Sequence, residues 1–163
     1  MCYHMVAHLL KEIAVATDSI EREIIIDAPP TRVWTALTEA EHLARWFGDA
    51  GAEVDLRPGG RLICSWKKHG TAHAVIEVVD PPRHFAFRWA LPPGEEPRRG
   101  NSTHVEFTLI PVEGGRTRLR VRESGFGELE WSEEENRRHL DANRSGWEAE
   151  MEDLRRYLEA RAA

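Results

Sequence analysis

The sequence predicts an α+β domain. A curved antiparallel sheet of six or seven strands wraps one long C-terminal helix, and two short helices follow the first strand. Three observations carry this. A capping box followed by a single apolar stripe marks a long helix over residues 132–159. Six segments of alternating polarity, separated by glycine- and proline-rich links, mark a meander between residues 52 and 124. A helix with only one apolar stripe also needs a surface to lie on, and the apolar face of the sheet supplies it.

The helix reads as follows. The Ser132 hydroxyl accepts the amide of Glu135, and Glu135 reaches back to the serine amide. Leu140, Trp147, Met151, Leu154 and Leu158 form the stripe, while Asp141, Glu148, Glu152, Arg155, Arg156 and Glu159 occupy the other face. Gly146 interrupts a helix at a cost of about 1 kcal/mol against alanine. Close approach of another backbone is one reason for it, and a kink is the alternative.

Residues 1–19 read as an N-terminal extension ahead of one domain over residues 20–160. Val6, Leu9, Leu10 and Ile13 follow the spacing of a short amphipathic helix. Cys2, His4 and His8 have metal-ligand chemistry, but spacing alone favours a plain extension, so no metal and no cofactor is expected. Residues 20–27 form a strand with Ile20, Ile24 and Ile26 on one face. Ala28-Pro29-Pro30 ends it and starts a helix carrying Val33, Trp34 and Leu37. Thr38 and Glu41 suggest a second capping box, opening a helix with Leu43, Trp46 and Phe47 that Gly48 and Gly51 end.

The strands of the meander are residues 52–57, 61–67, 72–79, 84–90, 103–110 and 117–124. Alternation puts Val54, Leu56, Leu62, Cys64, Trp66, Ala72, Ala74, Ile76, Val78, Phe85, Phe87, Trp89, Val105, Phe107, Leu109, Leu119 and Val121 on one face. Arg118, Arg120 and Arg122 fall on the other. Ion pairing with Glu106 and its neighbours explains them more simply than a phosphate-binding stripe.

The chain has 41% hydrophobic and 31% charged residues and a net charge of −6, which argues against general nucleic-acid binding. No apolar run reaches the length of a membrane span, and the N-terminus lacks a signal-peptide pattern, so a cytoplasmic location is expected. Two cysteines, Cys2 and Cys64, read as reduced thiols, Cys64 an inert one in the core. There is no G-x-S-x-G elbow, P-loop, G-x-G-x-x-G, H-E-x-x-H or paired C-x-x-C.

Several ordered motifs resemble one family. They are Ile24-x-Ile-Asp-Ala-Pro-Pro-x-x-Val-Trp-x-Ala-Leu-Thr38, Trp46-Phe47, Glu53-Val-Asp-Leu-Arg-Pro-Gly-Gly-Arg61, Glu77-Val-x-x-Pro-Pro-Arg83, Ser124-Gly-Phe126 and Gly146-Trp147. Over about residues 20–159 the chain is similar to homologues of the activator of heat-shock protein 90 ATPase, within the START/SRPBCC superfamily. The resemblance implies the helix-grip fold of the birch-pollen allergen. It also implies a lipophilic molecule held between sheet and helix, a chaperone as partner and a role in stress response. The eukaryotic activator carries a further chaperone-engaging domain, for which this chain has no room.

The expected function is therefore binding of a small hydrophobic or amphipathic molecule between the sheet and the C-terminal helix. A cyclase- or hydrolase-like enzyme in the same cavity is the first alternative, and a co-chaperone-type interaction protein the second. A homodimer is allowed for. The ligand-lining set is Trp34, Trp46, Phe47, Trp66, Ile76, Phe85, Phe87, Trp89, Phe107, Leu119, Trp147 and Met151, residues that serve equally as core. Glu123 is the one candidate acid or base, because parity aims it inward beside Leu119 and Val121. A fraying strand end would instead leave it in water. The entrance is expected near Trp46, Phe47 and the hairpin tips. His42 and Asp49 flank it as surface polar residues, and His69, His73, His84, His104 and His139 also read as surface residues.

Overall fold

Short glycine- and proline-containing links fold the chain back on itself, so consecutive strands become antiparallel neighbours. The computed structural model describes residues 18–161. Its elements in chain order are β1 (Ser19–Ile26), α1 (Pro30–Thr38), α2 (Ala40–Trp46), β2 (Ala52–Val54), β3 (Arg61–Trp66), β4 (Gly70–Asp80), β5 (His84–Ala90), β6 (Ser102–Val112), β7 (Arg116–Ser124), a 3₁₀ turn (Phe126–Glu128) and α3 (Glu133–Arg161). The seven strands form one sheet in the order β1-β7-β6-β5-β4-β3-β2. Only β1 pairs out of sequence, laying Ile20 opposite Glu123 and Ile24 opposite Leu119. This is the α+β helix-grip architecture that the sequence predicts. The readings that rest on Cys2, His4, His8 and the stripe from Val6 to Ile13 lie outside the described residues.

α3 begins where its capping residue stands, with the Glu135 amide donating to Ser132 Oγ at 3.1 Å. Glu133, Glu134 and Glu135 fill the first turn, where the helix dipole favours negative charge. Every residue of the predicted stripe is at most 4% exposed. The helix packs along β1. Arg22 reaches Glu148 at 3.1 Å, the Asp27 amide donates to Glu159 at 3.1 Å, and Arg32 donates to the Leu158 carbonyl at 3.1 Å.

Five local expectations are corrected. The Thr38–Glu41 capping box does not form. Thr38 bonds back to the Trp34 carbonyl at 2.8 Å, which closes α1, and Glu39 becomes the cap of α2. β2 is only three residues long, and beyond it the chain turns out to bond Asp55 N to Arg61 O, leaving Leu56 39% exposed. A bulge in β4 between Ile76 and Val78 reverses the alternation, so Val79 pairs with Phe85 and packs on the core while Val78 leaves the inner face. The three arginines of β7 pair across to β1, not to Glu106. Arg118 and Arg120 each lie 3.3 Å from Glu23, and Arg122 lies 3.6 Å from Glu21. Glu106 faces His84 instead, at 3.9 Å.

The fifth concerns glycine. A Cβ on Gly146 would meet nothing within 4 Å, and α3 runs through it without a break. The close approach expected there occurs at Gly48, where a Cβ would lie 2.9 Å from the Gly51 carbonyl and 3.0 Å from that of Ser65. That contact holds the end of α2 against β3.

Candidate functional site

Because α3 lies along β1, it leaves a gap on its other flank, towards β3, β4 and β5. The gap is a cavity of about 570 Å³, closed at its ends by the β3–β4 hairpin tip and the β5–β6 loop. That size falls within the range of small-molecule pockets, roughly 300–1,000 Å³. Its wall is aromatic. Phe47, Trp89 and Trp147 stack with centroids 5.7–6.2 Å apart and planes within 23° of parallel, and Trp66 meets Phe47 edge-on at 5.0 Å. Small residues hold the space open, namely Ala72 and Ala90 on the sheet and Ala142 and Gly146 one turn apart on α3. Asp49, Lys68 and His69 stand at the exposed rim. Asp49 also accepts the Lys67 amide at 2.8 Å, fixing the hairpin to the end of α2.

Behind the stacked rings lies Glu123, 0% exposed. β7 does not fray there, since Glu123 pairs with Val105 on one side and Ile20 on the other. Its Oε2 accepts Thr103 Oγ1 at 2.5 Å, Trp89 Nε1 at 2.8 Å and Asn143 Nδ2 at 3.0 Å. Its Oε1 accepts Trp147 Nε1 at 2.9 Å and Asn143 Nδ2 at 3.0 Å. Burial pushes its carboxyl above the ordinary range, and the hydrogen bonds from Thr103, Trp89, Trp147 and Asn143 oppose that shift. Four donors and no obligate acceptor suit the ionised form. Glu123 does not border the cavity, whereas Trp89, Asn143 and Trp147 do. It is a positioning residue that sets two indole rings and one amide, and its oxygens are already occupied. A general acid or base acting on a bound molecule is thus not available at Glu123 in this geometry.

Besides the exposed rim groups Asp49, Lys68 and His69, the cavity is bordered by the partly buried Glu150, one turn beyond Trp147. Burial first, then the charges of Asp153 and Asp49, push its carboxyl up to about 8. Its Oε2 is buried and has no hydrogen-bond partner among the described residues. Phe47, Asp49, Trp66 and Glu150 also border a second, more polar cavity of about 420 Å³, which adds Arg45, Asp153, Arg156 and Tyr157. Cys64 is buried beneath, and burial with the nearby Glu150 raises its thiol to about 12, so it stays unreactive.

Of the expected lining residues, Phe47, Trp66, Trp89 and Trp147 border the large cavity, and Trp46 borders the second. Trp46 donates its indole N–H to the Ala36 carbonyl at 2.7 Å. Trp34, Ile76, Phe85, Phe87, Phe107, Leu119 and Met151 border neither and pack in the core. His42 bonds Tyr157 Oη at 2.5 Å, and His139 stacks on Trp131 at 4.9 Å. Sequence reasoning missed Thr103, Asn143 and Glu150. Asn143 and Glu150 lie at i−4 and i+3 from Trp147, one turn to either side on the same flank of α3, and that spacing is the signal for them.

Two outcomes follow for the carboxylates. Glu123→Gln turns an N–H₂ towards one of the two indole N–H groups, which can only donate, so unfolding stability should fall by about 1–3 kcal/mol with a changed near-ultraviolet tryptophan signal. For Glu150, a raised carboxyl binds its proton more tightly folded than unfolded. Its contribution is fully present below about pH 4.5 and is lost as pH rises to about 8. Urea midpoints of Glu150→Gln should match the parent at about pH 4 and exceed it at about pH 9.

The same architecture recurs in solved structures. A Mesorhizobium loti protein is 24% identical with a TM-score of 0.72, covering 87% of this chain and 97% of that one. The Aha1 dimer from Colwellia psychrerythraea is 20% identical with a TM-score of 0.70, covering 86% and 96%. CalU16 from Micromonospora echinospora is 26% identical with a TM-score of 0.63, covering 86% and 75%. No curated protein matches the sequence. The model of the activator of Hsp90 ATPase homolog 1-like proteins matches residues 27–159, from the end of β1 almost to the end of α3. The chain belongs to that family.

Proposed function

We propose that this protein binds a small lipophilic or amphipathic molecule in the cavity between its sheet and α3. The observation that carries the reading is Gly146. A mid-helix glycine costs about 1 kcal/mol against alanine. No neighbour presses on its Cβ position, so packing does not require it, yet it borders the cavity. Keeping that wall bare preserves room for a guest. Trp66 and Trp89, backed by Phe47 and Trp147, offer apolar contact, and Asn143 and Glu150 offer polar contacts at the same wall.

Titrating a panel of lipophilic probes should quench tryptophan fluorescence saturably, since three of the lining residues are tryptophans. Gly146→Leu places a side chain in the cavity without meeting an existing atom at Cβ. It should abolish that binding while the protein stays folded, whereas Gly146→Ala should gain about 1 kcal/mol of stability. Equal probe binding by the parent and Gly146→Leu would sink the reading.

The family description favours a second reading, an interaction with a heat-shock protein 90 homologue. This needs no cavity. Stimulated ATP hydrolysis on mixing the two proteins, unaltered by Gly146→Leu, is its expected result.

A further inference from the structure

We propose that the molecule bound in this cavity is an organic ammonium, with its apolar body on the stacked rings and its cationic head against Glu150. The inference rests on the binding reading above and names the ligand class. Two independent features meet at one wall. The first is a wall of aromatic faces, with Trp66 and Trp89 partly exposed at the cavity and Phe47 and Trp147 stacked behind them. Such faces carry negative charge density and attract a cation by about 0.5–2 kcal/mol. The second is the Glu150 carboxylate, whose buried Oε2 lacks any partner among the described residues. A carboxylate with a buried, unpaired oxygen is costly to ionise, and a cation against the part of Glu150 that borders the cavity relieves that cost by charge attraction. A neutral guest would leave it as it is, and an anionic guest would add a like charge.

The surrounding charges agree. Asp153 on the same helix and Asp49 beyond α2 both act on Glu150 to oppose its ionisation, so the pocket already holds more negative charge than it can comfortably ionise. Cys64 beneath it is a neutral thiol. The positive groups in reach are Lys68 and His69 at the exposed rim and Arg45 and Arg156 in the second cavity. Arg45 is engaged by Glu41 at 3.1 Å. The net charge of −6 draws cations to the whole molecule. Carboxylate and ring faces together distinguish this wall from an ordinary lipid pocket, which needs only the apolar part.

Three probes with one eight-carbon chain and different heads test it by tryptophan fluorescence at about pH 9, where Glu150 is ionised. They are octyltrimethylammonium, octanol and octanoate. The expected result is binding of the ammonium at least tenfold tighter than either partner, a ratio that falls towards unity in Glu150→Gln. Urea denaturation confirms that the variant is folded. Equal binding of all three heads overturns this inference and leaves the binding reading standing. An ammonium preference that Glu150→Gln does not reduce also overturns it, because the charge recognised would lie elsewhere. Silence from all three probes removes the binding reading and this inference with it.

Discussion

Glu123 is where the sheet and the helix are joined by something stronger than apolar contact. One carboxylate at the end of β7 collects an indole from β5, a hydroxyl from β6, and an amide and a second indole from α3. Three elements besides β7 itself donate to this one carboxylate. Apolar packing is non-directional and would let α3 slide or roll on the sheet. Directional bonds to a buried charge do not. They set the rotation of α3 about its axis, and that rotation decides which residues look into the gap. The stacking of Trp89 on Trp147, at 5.7 Å and 23°, follows from both indole N–H groups converging on one pair of oxygens.

The cavity is a consequence of where α3 rests. A single cylinder cannot touch the whole of a curved seven-stranded sheet. Here it lies on the β1 side, and one ion pair and two hydrogen bonds involving backbone groups fasten its far half. The uncovered part of the concave face lies over β3 to β5. Beneath α1 and α2 the same face is filled by Phe85, Phe87, Phe107 and their neighbours, with ring centroids 5.6–6.5 Å apart. One sheet thus carries a solid core at one end and a hollow at the other. The boundary runs through Phe47, which touches the buried Trp46 as well as Trp66, Trp89 and Trp147, the three rings that border the cavity with it.

Period and punctuation made the fold legible in the sequence. The 3.6-residue stripe of α3 and the alternation in β3, β6 and β7 match the buried residues closely, whereas in β5 Ala86 and Ala90 of the other parity are buried too. Alternation failed where it changes phase without changing composition. Val78 and Val79 are chemically alike, so nothing local shows that the bulge puts the second inside. Thr38 and Glu41 met the pattern of a capping box, but the Thr38 hydroxyl donates to the Trp34 carbonyl one turn back and does not accept the Glu41 amide. The site was legible in part. Parity aimed Glu123 inward, yet its partners Thr103 and Asn143 are ordinary polar residues whose convergence exists only in three dimensions. Gly146 was conspicuous in the sequence for the right reason, its cost. The cause assigned to it belonged instead to Gly48, because crowding and emptiness leave the same letter in a sequence.

Among the described residues the sheet does not close, and β1 and β2 are its two edges. β2 is too short to template another chain, but β1 spans eight residues and ends in Ile24-Ile25-Ile26. Charged residues earlier in β1 and the far half of α3 guard that edge. Glu148 holds Arg22, and Glu159 caps the Asp27 amide just past the isoleucines. The helix that bounds the cavity is therefore also the cover of the strand best suited to intermolecular β-pairing. Peeling back the end of α3 would release Arg22 and the Asp27 amide and open the outer edge of β1 to pairing with another chain.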